Sequence, residues 1–432
     1  MTVSTHPRKI YVELTTRCNL QCAMCVKHAP GSFIAEKDME LSVFKRLAPA
    51  LSRADSLILN GIGEPLLHHD LARMIRLARK GMATGATIGF QSNGILLDAA
   101  LARELTDAGL DTICFSLDSL ERGGSCDFVP QSGGHSFTGV KRALKNLDRA
   151  KGRCRRPLSI GLETILTREN IEDLPELVKW AGGYGVNYII TTHLIPYDKA
   201  TEESTLFNPN SRTGVDLYRK YSVLSRARGI DFTKAVAHYR KYVGTRSDSQ
   251  SLQLIRDMTT EARRRDIRLN LDSLSECHAG QEKDIAAIMA AAKTVAATQG
   301  IDIVVPPFQS LDDRSCPFLT SGATFIAPSG DVMPCHFLWH TYSCRVLNED
   351  IHVQKRVYGN ILKQPLESVW QEPDYVAFRK EAGQYQYSSC WNCSQGPCGT
   401  LVNDDHNYAN DCYGSNVPCG HCHWSLGGVH CL

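Results

Sequence analysis

Seventeen cysteines constrain this 432-residue chain more than any other feature, because an odd number cannot close into a complete set of disulfides. Their placement is uneven. Three stand at 18, 22 and 25, four lie singly at 114, 126, 154 and 277, and ten fall between 316 and 431. The opening MTVSTHPRKI has no basic flank leading into an apolar signal stretch, and no run approaches the roughly 18 apolar residues of a membrane span. A reducing, cytoplasmic setting is therefore expected, with thiols serving as metal ligands beside some buried free cysteines. Forty-eight basic against 46 acidic side chains leave a net charge of +2, so no global field recruits nucleic acid or an anionic membrane.

Between the cysteine-rich ends the pattern alternates. Short β-rich runs are predicted at 9–14, 56–60, 86–91, 112–117, 158–163 and 186–192. Helical stretches fall between them at 38–50, 67–80, 97–109, 138–150 and 171–183, with apolar residues recurring at three and four, as in Leu71, Met74, Ile75 and Ala78. Six such units predict an α/β fold with a parallel sheet that is at least partly barrel-like. The rhythm then changes. Residues 198–245 read as polar and helical, followed by a helix at 250–265, a strand at 267–271, a helix at 280–298 and a strand at 301–305. The expected division is a core over 1–200, a helical insertion or bridge over 201–310, and a cysteine-rich domain over 311–432.

Cys18-Asn-Leu-Gln-Cys22-Ala-Met-Cys25 follows directly on the strand run IYVELTT. Three thiolates just past a strand end can wrap one corner of an iron–sulfur cube and leave its fourth iron open. A zinc knuckle completed by His28, or by a distant ligand, satisfies the same spacing. Further along, Gly61-Ile62-Gly63-Glu64-Pro65 follows the second strand run, where glycines permit close backbone approach to a ligand. Gln91-Ser92-Asn93-Gly94 ends the third, and Cys114-Phe-Ser116-Leu-Asp118 ends the fourth, with alternation placing Cys114, Ser116 and Asp118 on one face. Glu163 and Arg168 fall near the mouth of the fifth, where α/β active sites form.

This series resembles the radical S-adenosylmethionine (SAM) superfamily over about residues 9–195. The resemblance implies a partial (β/α)6 TIM-like barrel in which Cys18, Cys22 and Cys25 hold a 4Fe–4S cluster and SAM chelates the open iron. One electron then cleaves SAM to methionine and a 5′-deoxyadenosyl radical that abstracts hydrogen from substrate. It implies further that Met24 packs near the adenine and that Gly61, Gly63 and Glu64 meet the methionine amino group. Asn93, Ser116, Asp118, Glu163 and Arg168 would line the rest of the SAM site. An electron donor such as ferredoxin or flavodoxin is implied as a partner.

The ten late cysteines are Cys316, Cys335, Cys344, Cys390, Cys393, Cys398, Cys412, Cys419, Cys422 and Cys431. Several tetrahedral zinc sites could use them, and two four-cysteine clusters would use eight. Cys316…Gly330-Asp-Val-Met-Pro-Cys335, with a hairpin in TFIAPSGDVMPC, and Cys390-Trp-Asn-Cys393 resemble the SPASM extension of radical SAM enzymes. That extension implies one or two auxiliary 4Fe–4S clusters held within these ten residues. Cys398 comes one residue early for the pattern, and the tail PCGHCHWSLGGVHC adds three cysteines, resembling a SPASM subgroup of proposed metalloenzyme maturases. The ligand pairing stays open.

Cys277, His278, His336, His340, Asp404 and Asp405 are candidate hydrogen donors or bases. Eight basic residues between 141 and 156, and the run Arg263–Arg265, suit a charged helix face or a docking surface for an acidic peptide or protein. The expected activity is a radical SAM oxidoreductase acting on a peptide or protein, or assisting metalloenzyme maturation. A dehydrogenase or epimerase of a small metabolite, and a non-enzymatic zinc scaffold, are the competing readings.

Overall fold

Six parallel strands form in chain order where the β-rich runs predict them: β1 Lys9–Val12, β2 Ser56–Ile58, β3 Thr87–Ser92, β4 Thr112–Ser116, β5 Ser159–Leu166 and β6 Tyr188–His193. The computed structural model describes residues 4–29, 31–120, 133–151, 156–241, 249–267, 269–271, 274, 279–311, 315–346, 349–384, 419 and 422–432. Register fixes which side chains share a face, because a strand alternates with period two. Ile10 pairs with Leu57 and Leu57 with Ile88, while Phe90 pairs with Ile113 and Phe115 with Leu162. This face is apolar and almost wholly inaccessible. The helices Leu71–Gly81, Ala99–Ala108 and Leu174–Gly182 bury Met74, Ile75, Leu105, Leu177 and Val178 in the same core. Asp98 caps the second of these, accepting from the backbone N–H groups of Ala100 and Leu101, a contact worth about 1 kcal/mol.

The opposite face carries Lys9, Tyr11, Gln91, Cys114, Ser116, Glu163 and Tyr188, as the same register requires. The sheet curls, since Lys9 and Tyr11 on β1 and Thr192 and His193 on β6 all bond one short segment, residues 428–432. A polar lumen results.

The remaining strands extend this sheet or form small ribbons. β7 Asn208–Ser211 pairs with β9 Gln309–Ser310, and β12 Tyr342–Val346 pairs with β13 Glu349–Val353. β8 Asp302–Val304 adds in parallel to β6. β10 Ala323–Ile326 adds in parallel to β1, and β11 Asp331–Met333 and β14 Gly359–Asn360 follow antiparallel. The late segment thus enters the same ten-stranded sheet as the first 200 residues, through the hairpin anticipated in TFIAPSGDVMPC.

The helical insertion has its own apolar cluster. Leu217 and Tyr221 of helix Arg212–Ala227 meet Phe232 of helix Phe232–Lys241 and Ile255 and Met258 of helix Gln250–Arg264. The strand expected at 267–271 does not form among the described residues. Ile267 and Leu269 are instead buried in this cluster, and the Asn270 backbone N–H is taken by the Asn210 side chain at 2.9 Å, not by a neighbouring strand.

A C-terminal stretch closes the lumen from the side. Gly428 O accepts from His193 N at 3.0 Å and Thr192 Oγ1 from His430 N at 3.3 Å. Leu432 O accepts from Lys9 Nζ at 2.8 Å and Tyr11 Oη at 2.9 Å. Residues 428–432 therefore run as a strap from β6 to β1.

Candidate active site

The loop after β1 carries the first three cysteines. A turn forms where Cys25 N–H meets Cys22 O, and a single 3-10 turn, Val26–His28, follows. Lys27 Nζ anchors the loop from below, donating to Thr16 O at 3.0 Å and Glu36 Oε1 at 2.8 Å. Arg17 grips Asp38 with two bonds of 2.9 and 2.6 Å, and Thr15 adds a third at 2.6 Å. Burial alone would lift the Asp38 carboxyl, but these donors hold it below the usual range. Cys18, Cys22 and Cys25 are half-buried, and His28 is exposed. Burial pushes all three thiols up, Cys22 to about 12, and metal binding would favour their deprotonated form.

The three thiols line a cavity of about 300 Å³ together with Met24, Gly61, Gly63, Glu64, Asn93, Ser116 and Asp118. Two glycines make the approach possible. A Cβ on Gly61 would lie 2.3 Å from Glu13 Cγ, and one on Gly63 would lie 2.3 Å from the Thr15 carbonyl oxygen. Glu64, 3% exposed, receives Leu66 N–H at 3.0 Å and Ser92 Oγ at 2.8 Å on Oε1, and Asn93 N–H at 2.8 Å on Oε2. Burial raises its carboxyl, and the three donors oppose that rise. Asn93 Nδ2 in turn donates to Asn19 Oδ1 at 2.8 Å, tying the third strand to the cysteine loop.

Asp118 lines the cavity, and Glu163 lies behind it, outside the lining. Asp118 Oδ1 accepts from Ile165 N–H at 2.8 Å, and burial lifts the carboxyl to about 6. Glu163, one strand over, is lifted to about 8 by burial and by Asp118, and its Oε2 has no hydrogen-bond partner among the described residues. Arg168 lies past the end of β5, exposed and outside the cavity lining. The motifs of β1 to β4 thus converge, Glu163 stands behind them, and Arg168 stands apart.

Three contributors had no place in the sequence reading of the site. Asn60 and Gln91 line the cavity and bond each other, Asn60 Oδ1 accepting Gln91 N–H at 2.7 Å. Strand parity was the available signal for both. Glu13 is wholly buried behind Gly61. Its signal was a lone carboxylate in the apolar run IYVELTT.

In the late segment Cys316, Cys335, Cys419 and Cys422 are buried and close enough to raise one another's thiols, burial being the larger cause. Their neighbours interlock: the rings of Phe318, His336 and Trp424 lie 5.3 to 6.5 Å apart. Cys344 on β12 is buried too, lifted to about 12 by burial and then by Asp350, with none of the other late cysteines among the causes. Cys431, on the strap, accepts from Trp424 Nε1 at 3.0 Å and faces Glu163. Among the described residues no three His, Cys, Asp or Glu side chains meet at single-ion spacing. The four thiolates of a cube sit on different irons, so they stand wider than the ligands of one ion. Cys390, Cys393, Cys398 and Cys412 lie outside the described residues, as do Cys277, His278, Asp404 and Asp405.

Comparison with known proteins agrees with this geometry. Residues 12–181 match the radical SAM superfamily and residues 316–394 match the SPASM iron–sulfur cluster-binding domain. The chain is 25% identical over 429 residues to the tungsten-containing aldehyde ferredoxin oxidoreductase cofactor-modifying protein of Pyrococcus furiosus, covering 98% of this chain and 96% of that one. It is 26% identical over 257 residues to the pre-heme d1 synthase of Dinoroseobacter shibae, 58% of each chain. Among solved structures, Streptococcus suis SuiB bound to S-adenosylmethionine superposes with a TM-score of 0.50 at 13% identity, covering 95% of this chain and 77% of that one.

Proposed function

We propose that this chain, a radical SAM iron–sulfur enzyme with a C-terminal SPASM domain, modifies a protein-held cofactor or a protein or peptide during metalloenzyme maturation. The radical SAM domain implies a 4Fe–4S cluster and SAM, and the SPASM domain implies auxiliary clusters. The convergence of three thiols, two glycines and the Glu64–Ser92–Asn93 network on one cavity carries the enzymatic reading. Similarity along almost the whole chain to a cofactor-modifying protein supports the substrate class.

Cys18, Cys22 and Cys25 would hold the SAM-binding cluster. When bound, it supplies the single electron that breaks a carbon–sulfur bond of SAM. The residues around it do the positioning. A carboxylate offers about four acceptor sites, and Glu64 fills three with protein donors, leaving one for the SAM ammonium. Asp118 and Ser116 reach the cavity from β4 and its C-terminal end, suited to the ribose and the polar end of SAM. Met24 supplies an apolar surface for the adenine. Cys316, Cys335, Cys419 and Cys422 are the described set that would hold an auxiliary cluster. A cluster with four cysteine ligands has no open iron, which suits it to passing electrons. A ferredoxin or flavodoxin is the fitting external donor. The core over 1–200 would carry the SAM chemistry and the cysteine-rich unit over 311–432 the auxiliary cluster, with the insertion over 201–310 between them.

Anaerobic reconstitution with iron and sulfide, then SAM and a reductant, should yield 5′-deoxyadenosine. A fully loaded protein that yields none refutes the reading. The similarity to a pre-heme d1 synthase keeps a small-molecule substrate as the second reading. Deuterium transfer into 5′-deoxyadenosine from a labelled small molecule, and not from a labelled protein, would favour that alternative.

A further inference from the structure

We propose that Glu13 is a positioning residue through which His340 of the SPASM segment fixes the SAM-binding loop 61–64. The inference rests on the reading of that loop as part of the SAM site. Glu13 follows β1 directly and has no accessible surface. Its two carboxylate oxygens reach in two directions. Oε1 accepts the backbone N–H of Ile62 at 2.8 Å, and Oε2 accepts from His340 Nε2 at 3.0 Å. A carboxylate only accepts, so the bond fixes the proton of His340 on Nε2.

The loop has little freedom to find this position alone. Gly61 lies against the Glu13 side chain, Gly63 lies against the carbonyls of Thr15 and Arg17, and Glu64 N–H bonds Arg17 O at 2.8 Å. The peptide between Gly61 and Gly63 is therefore held by Glu13 on one side and by 15–17 on the other. His340 sits five residues after Cys335, and its ring packs edge-on against Trp339, which packs against His336. A rigid path runs from an auxiliary-cluster cysteine to the SAM loop. Removing the His340 donor leaves a buried carboxylate oxygen unpaired and frees Glu13 to rotate away from Ile62.

The test uses holoenzyme reconstituted anaerobically, with KM for SAM and kcat read from 5′-deoxyadenosine formation. Cluster signals are followed by electron paramagnetic resonance with and without SAM. His340→Phe keeps a planar ring and loses the donor, whereas His340→Gln keeps an amide N–H. His340→Phe should raise KM about tenfold, leave kcat within about twofold, and weaken the SAM-induced change in the cluster signal, while His340→Gln stays within about threefold of wild type on KM. Equal effects of the two variants, or a KM for His340→Phe within about twofold of wild type, overturn the proposal. Glu64→Ala separates the two levels of the argument. If that variant keeps wild-type SAM affinity, the loop does not bind SAM, and the site reading falls with the inference.

Discussion

Ser92 Oγ donates to Glu64 Oε1 at 2.8 Å, joining the ends of β3 and of the loop after β2 inside one buried network. Glu64 receives Asn93 N–H on its other oxygen. Two motifs that read as separate turns in the sequence are one acceptor site in the fold. Ser92→Ala should raise the Kd for SAM about threefold to tenfold, because one of three donors that hold the carboxylate is lost. Glu64→Gln should cost more than tenfold. Equilibrium dialysis against the reconstituted protein measures both, and unchanged affinity in Glu64→Gln would remove Glu64 from the SAM site.

Gly63→Ala tests the cradle. The new methyl would meet the Thr15 and Arg17 carbonyl oxygens at 2.3 and 2.5 Å, and those belong to backbone that leads into Cys18. The expected cost is about 1–3 kcal/mol in stability, with SAM affinity lost more steeply than stability. Urea unfolding of the metal-free protein reads the first and dialysis the second.

Glu163 and Asp118 predict how the metal-free protein responds to pH. Both carboxyls are raised, Glu163 from 4.5 to about 8 and Asp118 from 3.8 to about 6, by burial first. The folded state therefore binds more protons than the unfolded chain between those values. Their stabilising contribution is complete below about pH 4 and fades as pH rises through 6 and 8. Melting temperature should fall between pH 5 and pH 8.5, and Glu163→Gln should flatten the upper part of that fall. An identical slope in the variant would show that Glu163 titrates normally.

Asp111 binds Arg79 and Arg156 and also accepts Ile88 N–H at 2.8 Å, pinning the start of β4 to β3. Asp111→Ala leaves the largely buried Arg79 guanidinium without its carboxylate. The expected loss is about 3 kcal/mol by urea denaturation, and a loss under about 0.5 kcal/mol would mean that Arg156 and water replace the contact.

Iron counting separates the late cysteines. The double variant Cys419→Ala/Cys422→Ala should lose about four irons per chain, and Cys344→Ala should lose none. Iron and sulfide analysis after anaerobic reconstitution decides it. Loss of iron in Cys344→Ala would place that thiol in a cluster.

The strands and the N-terminal motifs were legible because both depend on local order. Parity puts Cys114, Ser116 and Asp118 on one face, register then adds Tyr11, Gln91 and Glu163, and chain order alone puts the motifs at successive strand ends. Glu13 and His340 are 327 positions apart, and no local pattern marks such a pair. The grouping of Cys316 and Cys335 with Cys419 and Cys422 was hidden for the same reason. Residues 267–271 misled because Ile267, Leu269 and Leu271 alternate as a strand does, while the insertion needed that apolar surface to complete a helical core. Arg168 was placed near the site by its distance along the chain, and a bend past β5 carries it outward.

The pairing of Lys9–Val12 with Ala323–Ile326 has a consequence for how the protein is made. One margin of β1 is satisfied early by residues 56–58, while the other waits for residues 323–326, synthesised some three hundred positions later. Throughout that interval a bare strand edge stands next to the loop of Cys18, Cys22 and Cys25, a template for mispairing with other nascent chains. Such distant contacts also slow folding. Yields of active protein should therefore respond to chaperone supply and growth temperature.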